Sequence, residues 1–152
     1  MASFAAAFAD VTPVEQDDGP APVCAIAYAP EYARLMGFFR AFLASGERSP
    51  RVLDLTADLL EHNAAHYTVW HVRRQCLFAL ADGGDGTVLG DEMDYSSEVA
   101  SGNPKNYQIW YHRRALLEQH PPPRGPHTQP APAPPHGRPP VANKQPRRPE
   151  AH

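Results

Sequence analysis

Apolar positions recur at helical spacing from Tyr32 onward. Tyr32, Leu35, Met36, Phe39 and Leu43 fall at i, i+3, i+4, i+7 and i+11, one face of a helix across about Glu31–Ala44. Ser45-Gly46 closes it. Ser49 followed by Pro50 is a start signal, a capping residue ahead of proline at the first helical position. Val52, Leu53, Leu55, Leu59 and Leu60 carry the next helix to about His62, where Asn63 breaks or caps it. A third helix is predicted over roughly Tyr67–Ala81, ending in the glycine-rich Asp82–Gly86. Leu89, Met93 and Ala100 mark a fourth, weakened by Ser96, Ser97 and Ser101. Asn103 or Asn106 caps the last helix, which runs from Tyr107 to about Gln119.

The pattern repeats. NAAHYTVWHVRR, from Asn63 to Arg74, returns as NPKNYQIWYHRR, from Asn103 to Arg114, with Asn63/Asn103, Tyr67/Tyr107, Trp70/Trp110, Arg73/Arg113 and Arg74/Arg114 in register. Leu53, Leu59 and Leu77 align with Met93, Val99 and Leu117. Agreement at a single offset makes this an internal repeat of helix–turn–helix units, over about 50–81 and 89–119, an α-solenoid in which units bury their apolar faces only by stacking. Trp and Arg at i and i+3 share a helical face. Trp70 and Trp110 are therefore expected in the core, with Arg73 and Arg113 capping neighbouring turns or pairing with carboxylates between repeats, and Arg74 and Arg114 facing outward.

Composition divides the chain of 152 residues. Residues 121–152 hold 12 of its 18 prolines and none of the large residues Leu, Ile, Met, Phe, Tyr or Trp, so a disordered tail is expected. Residues 1–24 alternate small, acidic and proline residues and read as a disordered leader, which leaves 25–120 as the helical body. The tail carries five Lys and Arg against one acid, so the net charge of −3 makes the body distinctly acidic, which argues against nucleic-acid binding. No segment approaches the roughly 20 apolar residues of a membrane span. Cys24 and Cys76 lack metal or redox spacing, and the expected setting is cytoplasmic. His62 and His66 stand at i and i+4, but Asn63 interrupts the helix and no acidic third ligand is suitably spaced, so no metal site is expected.

The repeated wording resembles the protein prenyltransferase α subunits, whose signature is Asn-x-x-x-Trp-x-x-Arg. Asn106, Trp110 and Arg113 satisfy it, while His66, Trp70 and Arg73 have histidine in the first place. Pro104-Lys105-Asn106-Tyr107-Gln108-Ile109-Trp110 is closer to the α subunit shared by farnesyltransferase and geranylgeranyltransferase type I than to that of the Rab enzyme. Asp10–Pro22, Ala27-Tyr28 and Gly46–Pro50 resemble plant members. The likeness spans about residues 9 to 119 and stops at His120, which suggests truncation, an alternative transcript or a mis-predicted gene model.

The resemblance implies an all-α superhelix that wraps a β subunit, forming a heterodimer that transfers a farnesyl or geranylgeranyl group to the cysteine of CaaX proteins. It implies that Lys105 and Tyr107 reach the diphosphate of the prenyl donor. It also implies that zinc belongs to the β subunit, that magnesium serves farnesyl transfer, and that this chain binds no cofactor itself. The chain alone is expected to be catalytically silent. The rival readings are a non-catalytic helical-repeat scaffold and the Rab-type α subunit. Without the resemblance, Lys105 reads as a solvated lysine at a helix N-terminus, where positive potential already favours anions.

Overall fold

The computed structural model describes residues 7–24 and 26–121. From Pro30 onward the described residues form five helices in order: α1 (Pro30–Ser45), α2 (Pro50–His62), α3 (Tyr67–Asp82), α4 (Val88–Gly102) and α5 (Tyr107–Gln119). Each begins and ends within a residue or two of the boundaries expected from periodicity. No strand occurs among the described residues. The tail expected to be disordered lies, after Pro121, outside them.

The helices stack as two hairpins. α2 lies between α1 and α3, and α3 in turn contacts both α4 and α5. The shared core holds Leu35, Phe39, Leu55, Leu59, Trp70 and Ile109, each nearly or completely removed from solvent. A smaller cluster of Leu77, Val88 and Leu116 closes the far end of α3 against α4 and α5. Pro50 starts α2 as expected, but Ser49 does not cap it with its side chain; its hydroxyl donates instead to Glu47 Oε1 at 2.6 Å. Gly46, at φ 72°, ends α1 in the left-handed conformation that favours glycine.

Two expectations about the front of the molecule are corrected. The leader is not wholly unstructured. Phe8 is 4% exposed, stacks on Phe38 at 5.2 Å and meets the edge of Phe42 at 5.5 Å. The Arg51 guanidinium holds both oxygens of Asp10, at 2.7 and 3.0 Å. The Val14 N–H donates to Gly37 O at 3.0 Å, and a β-carbon on Gly37 would sit 3.0 Å from Pro13 Cβ, so glycine is what lets the leader approach α1. A composition of small and acidic residues hid a single aromatic anchor. That anchor also shifts the buried face of α1: Phe42 is buried, whereas Leu43 is 40% exposed.

Candidate functional site

The two inter-helix turns, 63–66 and 103–106, are built alike. In each, the fourth residue donates its N–H to the first residue's carbonyl, His66 to Asn63 at 3.1 Å and Asn106 to Asn103 at 3.0 Å. In each, a tryptophan indole donates to the carbonyl of the turn's second residue, Trp70 Nε1 to Ala64 at 2.8 Å and Trp110 Nε1 to Pro104 at 3.2 Å. The fourth residues then differ. Asn106 Oδ1 accepts the Gln108 N–H at 2.9 Å and so starts α5, while its Nδ2 donates to Ala64 O, 42 residues away, at 2.6 Å. His66 makes no side-chain cap; its Nδ1 is buried without a partner, and burial holds its pKa below the ordinary histidine value.

Side by side, the turns line an open cavity of about 1040 Å³. Leu60, Tyr95 and Val99 contribute apolar surface, Glu61 and Glu98 carboxylates, and Lys105 and Tyr107 the edge formed by the second turn. Lys105 is exposed and Tyr107 is 86% exposed, so both are available to a molecule approaching this edge. In the wall behind them Ala64 O is held from two directions, by the core indole of Trp70 and by Asn106.

Beneath the turns Arg73 and Arg113 each tie the two helices of their own hairpin, and Arg73 alone also pairs with a carboxylate of the next repeat. Arg73 Nη1 donates to Leu53 O and Thr56 Oγ1, both at 2.9 Å. One repeat later, Arg113 Nη1 donates to Met93 O at 2.8 Å and to the hydroxyls of Ser96 and Ser97 at 2.7 and 2.8 Å. Two of the three serines that weaken α4 by propensity, Ser96 and Ser97, thus serve as acceptors that tie it to α5. Arg73 also makes a two-pronged ion pair with Glu92 of the next hairpin, Nε to Oε1 at 2.8 Å and Nη2 to Oε2 at 2.6 Å, with both side chains buried.

Sequence reasoning missed the other half of this network. His112, fully buried, lies 4.6 Å from the Trp70 ring, with Nε2 2.8 Å from Glu92 Oε1 and Nδ1 3.5 Å from Arg74 Nη1. Arginine only donates, so Nδ1 accepts and Nε2–H donates, which is the neutral imidazole. Burial pushes the His112 pKa below the ordinary value, and the nearby Arg74 and Arg73 add to this against the pull of Glu92. For Glu92, burial works upward, but hydrogen bonds from His112 and Arg73 outweigh it and hold the carboxylate below its usual range. The repeat itself held the clue: one repeat earlier, Glu92 and His112 correspond to Val52 and Val72, both buried in the core.

Two placements differ from expectation. Arg74 faces inward, 9% exposed, with its guanidinium over the Tyr111 ring at 4.9 Å; Arg114 is exposed and paired with Glu118 at 2.7 Å. Trp70 is fully buried, but Trp110 is 51% exposed, because His112 packs on the first indole and no described element packs over the second. Tyr67 is 69% exposed. No group of three or more His, Cys, Asp or Glu among the described residues could hold a metal ion, and no described helix is long and apolar enough to cross a membrane.

Comparison with known proteins places this geometry. The model of the protein prenyltransferase alpha subunit repeat matches residues 49–80 and 89–120. The protein farnesyltransferase/geranylgeranyltransferase type-1 subunit alpha of Schizosaccharomyces pombe is 39% identical over 110 residues, 72% of this chain and 36% of that protein. Its Pisum sativum counterpart is 47% identical over 96 residues, 63% of this chain and 27% of that one. The Bos taurus geranylgeranyl transferase type-2 subunit alpha is more distant, 32% identical over 83 residues. Among solved structures, Candida albicans protein geranylgeranyltransferase-I complexed with GGPP superposes with a TM-score of 0.63 at 35% identity, covering 73% of this chain and 35% of that one. The chain thus spans about a third of the length of these relatives, or less. Across the two repeats that build the turns, the chain belongs to the protein prenyltransferase alpha-subunit repeat family.

Proposed function

We propose that the chain acts as the α subunit of a heterodimeric protein prenyltransferase of the farnesyltransferase/geranylgeranyltransferase type I kind, in the cytoplasm. The observation that carries this reading is the second turn, Asn103–Asn106, with the first residue of α5, which together offer the Lys105 ammonium and the Tyr107 phenol on one exposed edge of the cavity.

The chemistry suits those groups. A cysteine thiolate of a CaaX protein attacks C1 of an allylic prenyl diphosphate; the C–S bond forms, the C–O bond breaks, and diphosphate leaves with the electron pair. Negative charge grows on the departing oxygens, where Lys105 and the Tyr107 hydroxyl stabilise it without covalent involvement. One such charge pair at about 4 Å contributes about 4 kcal/mol at an effective dielectric of 20, before desolvation is subtracted. In this reading zinc sits on the β subunit and activates the substrate thiol, magnesium assists farnesyl transfer, and the β subunit sets the choice of prenyl group.

The test replaces Lys105 with alanine in the assembled α–β complex and follows single-turnover transfer to a CaaX peptide. The expected result is a loss of roughly a hundredfold to a thousandfold with assembly intact, by analogy with removal of one charge-stabilising donor. Tyr107→Phe is expected to lose less. Unchanged rates with both prenyl donors would overturn the assigned roles.

A further inference from the structure

We infer that Asn106 is a positioning residue that holds Lys105 and Tyr107 through a bond to the preceding repeat, an inference that rests on the proposed role of those two residues. Asn106 stands between them in the chain, and its amide works in two directions. Oδ1 accepts the Gln108 N–H at 2.9 Å, which sets the first turn of α5 and with it Tyr107. Nδ2 donates at 2.6 Å to Ala64 O, which also accepts the buried Trp70 indole N–H at 2.8 Å. A chain of two hydrogen bonds therefore runs from the core through Ala64 to the residue beside Lys105.

Among the described residues, no other side-chain hydrogen bond ties this turn to its neighbour. Trp110 Nε1 donates to Pro104 O, but that contact lies within the same repeat, and its indole is itself half exposed. The first turn provides the internal contrast: His66 occupies the equivalent position and makes neither bond. A carboxamide is the side chain that can accept at the helix start and donate to a carbonyl at once. An aspartate would place a carboxylate against Ala64 O, and a serine would keep only the cap.

The experiment uses the full chain in complex with a prenyltransferase β subunit and measures single-turnover transfer to a CaaX peptide. Four versions are compared: unaltered, Asn106→Ser, Lys105→Ala and the double substitution. Serine retains an N-cap oxygen for the Gln108 N–H, so α5 still starts, but its side chain is too short to reach Ala64. With Lys105 present, Asn106→Ser is expected to slow transfer about tenfold, the scale of one misplaced stabilising contact, with the peptide KM unchanged. With Lys105 already removed, the same substitution is expected to cost clearly less, because only the contribution of Tyr107 is left to lose and residues acting through one another are not additive.

An equal loss in both backgrounds, no loss in either, or failure of the serine variant to assemble would each overturn the inference. The first and last would make the bond purely structural. A Lys105→Ala complex that transfers normally, or an unaltered complex without transfer, would instead remove the functional reading and this inference with it. A slowed Lys105→Ala complex with additive Asn106→Ser loss would leave the functional reading standing.

Discussion

At the scale of single residues, the network around Glu92 sets both stability and acid sensitivity. Removing one partner of a buried ion pair leaves an uncompensated charge, so Glu92→Ala should destabilise the chain by roughly 3–5 kcal/mol, read from the shift of a denaturant midpoint. The pH dependence has a definite sign. His112 and His66 have folded pKa values below their ordinary 6.5, so the unfolded chain binds more protons as pH falls below that value. Their contribution is full above 6.5 and is lost as pH drops through the folded values. Glu92, lowered from 4.5, adds a second stage of loss below that pH. His112→Gln should flatten the first stage, which denaturant midpoints measured between pH 7 and 5 would detect; an unchanged slope would contradict the neutral, buried imidazole. This network was only half legible in the sequence. Arg73 announced itself by repeating at Arg113, whereas Glu92 and His112 depart from the repeat and belong to one hairpin alone.

At the scale of elements, helical periodicity located the five helices α1–α5, because each hairpin buries one face against its neighbours and apolar spacing reports that face. What spacing could not report was which neighbour is present. Trp70 and Trp110 have the same register and local wording, yet one is sealed by His112 and the other is half exposed. Trp70→Ala should therefore cost roughly 3–5 kcal/mol, as for a buried aromatic. Trp110→Ala should cost far less, under about 1 kcal/mol in the range of surface substitutions and a single net hydrogen bond. Equal losses in thermal melts of the two variants would contradict the packing described. Phe42 and Leu43 pose the same problem on α1, where the docked Phe8 decides between adjacent candidates. The leader itself was illegible because its composition is dominated by small, acidic and proline residues, which hid the packing of Phe8.

At the scale of the whole molecule, the site was legible to the extent that it repeats. The pairing of Asn63–His66 with Asn103–Asn106 at a constant offset identified the two turns, which the fold brings to one cavity, whereas Lys105, whose counterpart is Ala65, stood out only through the family resemblance. The bond from Asn106 to Ala64 could not be read from spacing, since it depends on how one hairpin stacks on the next. The central claim is that this surface serves a prenyltransferase heterodimer. Its most direct test is to co-express the full chain separately with a farnesyltransferase or type I β subunit and with a type II β subunit, purify through this chain, and assay prenyl transfer to a CaaX peptide. The expected result is stoichiometric retention of the former β subunit, together with transfer that disappears when either subunit is omitted. No retention of that β subunit, or equal retention of both kinds without transfer, would contradict it and favour a non-catalytic scaffold.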